Sequence, residues 1–231
     1  MGAAVSILAS VIITRALYEL RDPDGNNYNK DGAYAELLGY INQCLELIHE
    51  ILVDENSEIA GTGTGTITTV AGTQSYALSD NTMGDFWLPK RLKNDTYAVW
   101  VSEYAPMEMC TEMDTYDAIN ANEGSSTSRT QPDEFCIIGD SLWFRDMPDA
   151  AYTVNLRYFP NFVALTAVTA AMPYNNLFNN DVIKGVVLLA KNRNEIGIQV
   201  DAILKDMFYE RAMRIMRKRR KTSSKISPRL K

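Results

Sequence analysis

The sequence predicts an α+β protein that is mainly α, in which an N-terminal helical pair and a long C-terminal helix form a bundle that carries an inserted antiparallel β region. Two observations predict this class. Apolar residues recur at steps of three and four near both ends of the chain, whereas the middle is rich in glycine, threonine and alternating apolar residues. The 231 residues, 46% of them hydrophobic, are also enough to bury one sizeable core.

The N-terminal part, residues 1–60, predicts a platform of two helices. Residues 4–21 carry apolar side chains at helical spacing, and Asp22-Pro23-Asp24-Gly25 ends that helix. Asp31 is placed to cap a second helix of about 24 residues. The apolar stripe of this second helix consists of Leu37, Ile41, Cys44, Ile48 and Ile51, widened by Leu38, Leu45 and Leu52. The apolar run at 3–14 is too short to span a bilayer and follows no basic residue, so we expect it to be buried or to face an assembly partner in a soluble protein.

The central part, residues 61–160, predicts a β-rich insertion. After GTGTGTITTV, an alternating segment and the run YAVWVSEY at 97–104 indicate strands. Residues 107–121 pattern as a short helix, and residues 122–133 have the composition of an exposed loop. A hairpin over residues 135–159 is expected to turn at Met147-Pro148-Asp149 and to stop at Pro160.

The C-terminal part predicts a connecting loop and a long helix over residues 161–218, followed by a basic tail at 219–231. Asn180 or Asp181 is placed to cap the helix, whose apolar residues repeat at a spacing of about 3.5. Gly185 and Gly197 lie within it and weaken it, each by about 1 kcal/mol relative to alanine.

The charges are distributed unevenly along the chain. Residues 211–231 hold ten of the 23 Lys and Arg and none of the 29 Asp and Glu, so the first 210 residues carry 13 basic against 29 acidic groups, a balance of −16. Such polarity indicates that the basic end meets an acidic surface, which can belong to a nucleic acid, an anionic membrane, a protein or another copy of the chain. Cys44, Cys110 and Cys136 are odd in number and lack metal-ligand spacing, which favours buried thiols in a reducing compartment.

Motifs for catalysis or metal binding are few. His49 is the single histidine, which excludes histidine-pair and three-histidine metal sites, and without a G-x-S-x-G motif to support a catalytic triad a structural role is expected for it. GTGTGT at 61–66 follows a predicted helix and lacks the lysine of a phosphate-binding loop, so it predicts a linker or hairpin tip. DPDGNN at 22–27 lacks the last glutamate of a calcium-binding loop and predicts a turn.

Carboxylates supply the remaining enzymatic hypothesis. An enzyme would act through Glu103, Asp140 or Asp146, but no residue of known role accompanies them. The acidic group of Glu103, Glu108, Glu112 and Asp114 is interpreted as a solvated face. We therefore expect a protein that is not an enzyme and has no catalytic residue, metal or cofactor.

The stretch RAMRIMRKRRKTSSK, which begins at Arg211, allows several interpretations. At helical spacing it presents a basic face and an apolar face. It can be a DNA-binding arm, an amphipathic membrane helix, a peg that inserts into another subunit, or a solvated disordered tail. The membrane interpretation lacks aromatic anchors after Phe208-Tyr209.

Two stretches of the chain resemble the head-to-tail adaptor (connector, or head-completion) proteins of tailed bacteriophages. The first, ALYELRDPDGNNYNKDGAYAELLGYINQ, matches the L-L-x-Y-I-N core of that family at Leu37, Leu38, Tyr40, Ile41 and Asn42. The second, SLWFRDMPDAAYTVNLRYFP, is similar to the family's strand, proline-containing turn and strand ending in Y/F-x-x-P. Its matching residues are Leu142, Phe144, Pro148, Tyr152, Val154, Leu156, Tyr158 and Pro160.

The resemblance implies a structural virion protein at the head-tail interface, assembled in the cytoplasm of the bacterial host. It implies a ring of about twelve copies beneath the portal protein, with double-stranded DNA passing through the channel without sequence-specific binding. It further implies a tail or nozzle protein on the distal side, a role in genome ejection, and no membrane contact. The long β section, residues 61–146, implies an additional surface for a tail or fibre protein.

The resemblance also implies where partners bind. Portal-binding residues are expected at Arg211, Arg214, Ile215, Arg217, Lys218, Arg219, Arg220 and Lys221. Contacts between subunits or with the tail are expected at Trp143, Phe144, Tyr158 and Phe159. The alternative function is a nucleic-acid-binding accessory protein that uses the same basic arm.

Overall fold

A computed structural model of the chain describes residues 7–29, 33–78, 86–89, 98–102, 106–109, 129–139, 141–192 and 198–223. The chain divides into two compact units. The helical unit comprises residues 1–59 together with 162–231, and the β unit comprises residues 60–161.

The helical unit is built from both ends of the chain. Its described helices are α1 (Ala9–Glu19), α2 (Ala35–Asp54), α3 (Asn179–Lys191) and α4 (Ile198–Ser223). Helix α2 packs against the other three, and α1 also packs against α3. The core of this unit therefore forms only when segments separated by the whole β unit come together.

Helix α2 confirms most of the predicted apolar stripe. Its buried apolar residues are Leu37, Ile41, Cys44, Leu45, Ile48, Leu52 and Val53. The predicted cap differs, because the helix begins at Ala35 and Tyr34 occupies the N-cap position in a left-handed backbone conformation (φ 51°) without a side-chain hydrogen bond. Asp31 lies outside the described residues.

The turn after α1 is organised by a carboxylate. Asp22 is buried, and its two carboxylate oxygens accept hydrogen bonds from the backbone N–H groups of Asn26 (3.1 Å) and Asn27 (2.9 Å). Gly25 adopts a φ of +71°, and a Cβ there would lie 2.9 Å from the Tyr34 ring. The predicted turn is thus confirmed, and its acidic residue binds backbone amides.

An asparagine on α2 holds the segment that returns from the β unit. The side-chain amide of Asn42 donates a hydrogen bond to the carbonyl of Leu165 (3.0 Å), and the backbone N–H of Leu165 donates one back to Asn42 Oδ1 (2.8 Å). This two-way pairing satisfies the backbone N–H and C=O of Leu165, which lies in a segment assigned to neither helix nor strand, and it gives the asparagine of the L-L-x-Y-I-N stretch a physical role.

The prediction of one long C-terminal helix is wrong. Helix α3 ends at Lys191 and α4 begins at Ile198, so the segment forms two helices, and Gly197 lies outside the described residues. The two helices pack on each other as well as on α2, which one continuous helix cannot do. Helix α4 also continues past the expected end near residue 218, as far as Ser223.

The β unit contains two four-stranded sheets and one two-stranded sheet among its described residues. In the first sheet, β10 (Thr153–Pro160) lies between β1 (Gly63–Thr68) on one side and β3 (Phe86–Pro89) and β4 (Val99–Val101) on the other, all antiparallel. The second sheet has the order β2 (Ser75–Ala77), β8 (Ser141–Phe144), β7 (Glu134–Ile138), β5 (Glu108–Met109), with β5 parallel to β7. Strands β6 (Arg129–Thr130) and β9 (Met147–Pro148) pair in parallel.

Both larger sheets contribute to one core. It contains Ile67, Leu78, Val99, Val101, Met107, Phe135, Leu142, Phe144, Val154, Leu156 and Tyr158. Strand β10 supplies alternate buried residues to it, and this alternation leaves Asn155 and Arg157 on the opposite face.

The predicted fold class is wrong in its proportions. The described residues are about 43% helical and 24% in strands, with four α-helices and eight strands in the two larger sheets, so the protein is not a mainly helical bundle with one long C-terminal helix. Periodicity identified α1 and α2 but underestimated the extent of sheet formed by residues 60–161.

The predicted hairpin is also wrong. Strand β8 pairs with β7 and β2, whereas β10 pairs with β1, β3 and β4, so the segments on either side of Met147-Pro148-Asp149 belong to different sheets. The hairpin that does form joins β7 to β8 next to Gly139, whose φ is +57°. The alternation of apolar and polar residues predicts which face of a strand is buried but does not predict which strand it pairs with, and this explains the error.

Two smaller predictions in the β unit fall partly on undescribed residues. Glu108–Met109 form β5 where the sequence predicts the start of a helix, and residues 110–128 lie outside the described part. Within the predicted loop 122–133, Arg129–Thr130 form strand β6.

Candidate docking surface

The C-terminal helix α4 is amphipathic. Its buried residues are Val200, Leu204, Phe208, Ala212, Ile215 and Met216, which recur at steps of three and four. They face the α2 and α3 side of the unit, because α4 packs on both of these helices. Met216 is the last buried residue among those that the structure describes, so the part of α4 beyond it contributes no described side chain to the core.

Arg211 anchors α4 to the start of α3. Its Nε lies 3.1 Å from Asp181 Oδ2, and its Nη2 donates a hydrogen bond to the carbonyl of Leu177 (3.1 Å). The Nε itself is buried and is not aligned for a hydrogen bond, so its contact with Asp181 is electrostatic. Asp181 lies in the first turn of α3, where the helix dipole also favours a negative charge.

The other predicted portal-binding residues differ in exposure. Ile215 is buried in the helical core, whereas Arg214 is exposed and pairs with Glu210 one turn earlier at 2.8 Å. Arg217, Lys218 and Arg219 are exposed on the last described turns, and the side chains of Arg220 and Lys221 lie outside the described residues. The structure thus separates residues that hold the helix in place from residues that face solvent.

A polar groove of about 390 Å³ lies between α3 and α4. It is lined by Asn180, Asp181, Lys184, Met207, Glu210, Arg211 and Arg214. Three cations and two carboxylates share this groove, and the exposed cations Arg217, Lys218 and Arg219 follow it along α4. We call the groove together with these three cations the basic docking surface. It can bind an acidic partner through charge-assisted hydrogen bonds.

The aromatic residues predicted to contact other subunits are mostly internal. Phe144 and Tyr158 belong to the core of the β unit, and Phe159 is 1% exposed. Trp143 is partly exposed on β8. Phe144, Tyr158 and Phe159 are therefore buried in this structure, and Trp143 is the most accessible of the four aromatic residues.

His49 has the structural role predicted for it. It is buried, with Nδ1 3.1 Å from the Tyr174 hydroxyl and the Phe162 ring centroid 6.1 Å away. Burial raises the pKa of the Tyr174 hydroxyl, so this group remains protonated and can donate its hydrogen bond to the imidazole. Together they connect α2 with the segment that leads into α3.

Of the cysteines and carboxylates singled out in the sequence, the structure describes Cys44, Cys136, Glu108 and Asp146. Burial raises the pKa of the Cys44 thiol to about 12, which keeps it protonated. Cys136 is also buried, while Cys110, Glu103, Glu112, Asp114 and Asp140 lie outside the described residues. Within the described ranges, no three His, Cys, Asp or Glu side chains are grouped so as to hold a metal ion.

Sequence reasoning missed the partners that fix the basic helix. Glu210 lies four residues before Arg214, and this spacing in the sequence already predicts their ion pair. The contact of Arg211 with Asp181 joins two helices and has no signal in the sequence.

None of the described helices combines the length and hydrophobicity needed to cross a membrane.

Comparisons with known proteins agree with the resemblance found in the sequence. No curated protein matches the chain. A family model described as SU10 adaptor protein matches residues 8–229, which include the whole β unit, nearly all of the helical unit and the basic docking surface. This match confirms the similarity to phage head-to-tail adaptors. The chain therefore belongs to the SU10 adaptor protein family of phage adaptors.

Proposed function

We propose that the chain forms a ring between the portal and the tail of the virion, that about twelve copies close the ring, and that DNA passes through its channel. Membership of a phage adaptor family supports a structural role and contacts with other virion components. The observation that carries the portal contact is the exposed run Arg217, Lys218 and Arg219 at the end of a helix whose earlier part is held by Arg211.

The anchoring of α4 fixes the direction in which its basic end points from the helical unit. The contacts of Arg211 with Asp181 and Leu177, together with the buried residues up to Met216, fix α4 on the helical unit. The cations beyond Met216 then extend from a folded base, which reduces the conformational entropy lost on binding. An acidic surface on the portal is the partner that this geometry fits.

The remaining surface supports self-association and a DNA channel. Tyr18 is 68% exposed on α1 and Ile203 is 55% exposed on α4, and such apolar side chains can be covered by a neighbouring copy. A contact of this kind between two different faces closes into a ring when the rotation between neighbouring copies divides a full turn.

The charge of the chain suits a channel for DNA. The first 210 residues carry 13 basic and 29 acidic groups, and a channel wall formed by such an acidic surface would repel DNA and let it pass without binding.

Portal binding can be tested by removing the exposed cations. In the triple variant Arg217→Gln, Lys218→Gln, Arg219→Gln, we expect affinity for the portal protein to fall at least tenfold at physiological salt. The matched control is Arg15→Gln, Arg21→Gln, Lys191→Gln, which removes three exposed cations elsewhere on the helical unit and should leave affinity unchanged. Equal affinity of the two triple variants in a surface-immobilised portal assay would contradict the proposal.

The same exposed cations favour a second candidate, a nucleic-acid-binding accessory protein. Residues 211–231 hold ten cations and no carboxylate, which is typical of segments that contact phosphates. If this function holds, DNA affinity should fall steeply with salt, and the slope of log K against log salt should decrease by about 1 for each phosphate-contacting cation removed. Absence of DNA binding at low salt would eliminate this candidate.

A further inference from the structure

Among the residues that the structure describes, strand β1 lies at the edge of its sheet and pairs on one side. Residues Gly63–Thr68 pair with β10 through six consecutive residue pairs, from Gly63 with Tyr158 to Thr68 with Thr153. The described residues supply no hydrogen-bonding partner for the other side of β1. Proteins commonly protect such an edge with a lysine, a proline or a bulge, but residues 59–79 contain no charged residue and no proline, and the β1 register is regular.

A groove beside this edge can bind a side chain of a partner whose backbone pairs with β1. Thr64, Thr66 and Thr68 are exposed on one face of β1, and next to them lies a groove of about 370 Å³. The groove is lined by Thr64, Gly65, Thr66, Trp100, Asn155, Leu156 and Arg157. The Arg157 guanidinium lies 5.7 Å from the centroid of the Trp100 ring, and no described carboxylate forms an ion pair with it.

We propose that β1 receives an extended strand from another protein, which hydrogen-bonds along Gly63–Thr68 and places an acidic side chain in the groove near Arg157. Strand addition of this kind draws affinity from the main chain and specificity from pockets for alternate side chains. Neighbouring strands are about 4.8 Å apart, so an added strand lies about 10 Å from β10, and a glutamate can reach over the small threonines towards the arginine.

The described residues favour a donor other than a second copy of this chain. Apart from β1, the described edge strands of the two larger sheets are β2, β3, β4 and β5, which have three, four, three and two residues and are too short to cover the six residues of β1. Pairing of β1 with its own counterpart would bring only uncharged residues to Arg157. The inference goes beyond the proposed portal contact, because it involves no residue of α4.

The probe is a panel of six-residue peptides of alternating threonine and valine, blocked at both ends, with one glutamate placed at each position in turn. Each peptide has a twin that is N-methylated at alternate amides and therefore cannot complete the backbone hydrogen bonds. With the full-length protein, we expect at least one peptide to slow hydrogen exchange of residues 63–68 at least tenfold, and its twin to have no effect.

Two variants test the edge and the groove separately. Thr66→Lys places a charge on the exposed face of the edge and should weaken binding of the uncharged glutamine analogue of the peptide at least tenfold, whereas Thr153→Lys is the same exposed substitution on the inner strand β10 and should not. Arg157→Gln should abolish the preference for the glutamate peptide over its glutamine analogue while exchange protection persists.

Several outcomes would overturn the proposal. They are unchanged exchange with every peptide, equal protection by the N-methylated twins, and equal loss in both threonine variants. Protection of residues 63–68 that rises with protein concentration in the absence of peptide would identify a second copy as the occupant and overturn the choice of donor. Portal affinity measured on Thr66→Lys separates this inference from the proposed function, since that variant should bind the portal normally.

Discussion

Gly185 shows how a single residue sets the distance between helices. A Cβ at this position on α3 would lie 2.6 Å from Cys44 Sγ on α2 and 3.2 Å from the Phe208 ring on α4. The sequence identified Gly185 as a weak point in a helix, which it is by propensity. Its benefit arises from close packing of three helices, and no local pattern contains that information.

The comparison of two helical glycines tests this packing. Gly185→Ala gains about 1 kcal/mol of helix propensity but forces core atoms apart, so we expect a net loss of about 1–2 kcal/mol in the free energy of unfolding. Gly39→Ala on α2 meets nothing within 4 Å and should stabilise the protein by up to about 1 kcal/mol. Urea denaturation measures both, and stabilisation by Gly185→Ala would contradict the packing.

At the scale of elements, two ion pairs on α4 differ in what they join. The Arg211 and Asp181 pair connects two helices and is partly buried, whereas the Arg214 and Glu210 pair lies within one helix with side chains 69% and 66% exposed. Exposed pairs within a helix contribute about 0.3–0.5 kcal/mol, and a partly shielded pair whose arginine also donates a hydrogen bond to a backbone carbonyl contributes more. The first pair therefore orients the basic docking surface.

Double-mutant cycles can separate the two pairs. For Arg211→Ala with Asp181→Ala we expect a coupling energy of about 1 kcal/mol, and for Arg214→Ala with Glu210→Ala about 0.3–0.5 kcal/mol. The second cycle serves as the internal control, since both arginines lie on the same helix. If the two coupling energies agree within error in urea denaturation, Arg211 does not act as an anchor.

The elements also show what a sequence can and cannot predict. Apolar periodicity predicted α1 and α2, because the buried stripe of an amphipathic helix is a local pattern. Alternation predicted strands near β4, β8 and β10 but gave β8 the wrong partner, because pairing depends on residues far away in the chain. The basic candidate residues were visible as a charge run, whereas the burial of Ile215, Phe144 and Phe159 required the fold.

At the scale of the whole molecule, the β unit begins and ends at one place. Its first and last strands, β1 and β10, are antiparallel neighbours, and a Cβ on Gly61 would lie 3.7 Å from Pro160. When the two ends of an insertion lie next to each other, the unit that receives it can keep its own fold, because the insertion replaces only a short connection. The helical unit, with a core of its own, should therefore fold without it.

Replacement of residues 62–159 by a short Gly-Ser linker should leave the helical unit folded. We expect a cooperative thermal transition and a helical circular dichroism spectrum, because helices α1 to α4 pack on one another within one compact unit. Deletion of residues 62–101 alone is the contrasting control, since it removes β1, β3 and β4 and leaves β10 without partners, which should cause aggregation. Loss of the cooperative transition in the first variant would contradict the division into units.

The pairing of β1 with β10 also determines how the chain behaves while it is being made. Paired residues of these strands are 85 to 95 positions apart, from Thr68 with Thr153 to Gly63 with Tyr158. At a translation rate of about 5–20 residues per second, β1 waits about 5–20 s for its partner to leave the ribosome. Throughout that time an uncharged, threonine-rich segment lacks its partner strand, so the order in which the two strands are synthesised favours slow folding and exposes the nascent chain to aggregation.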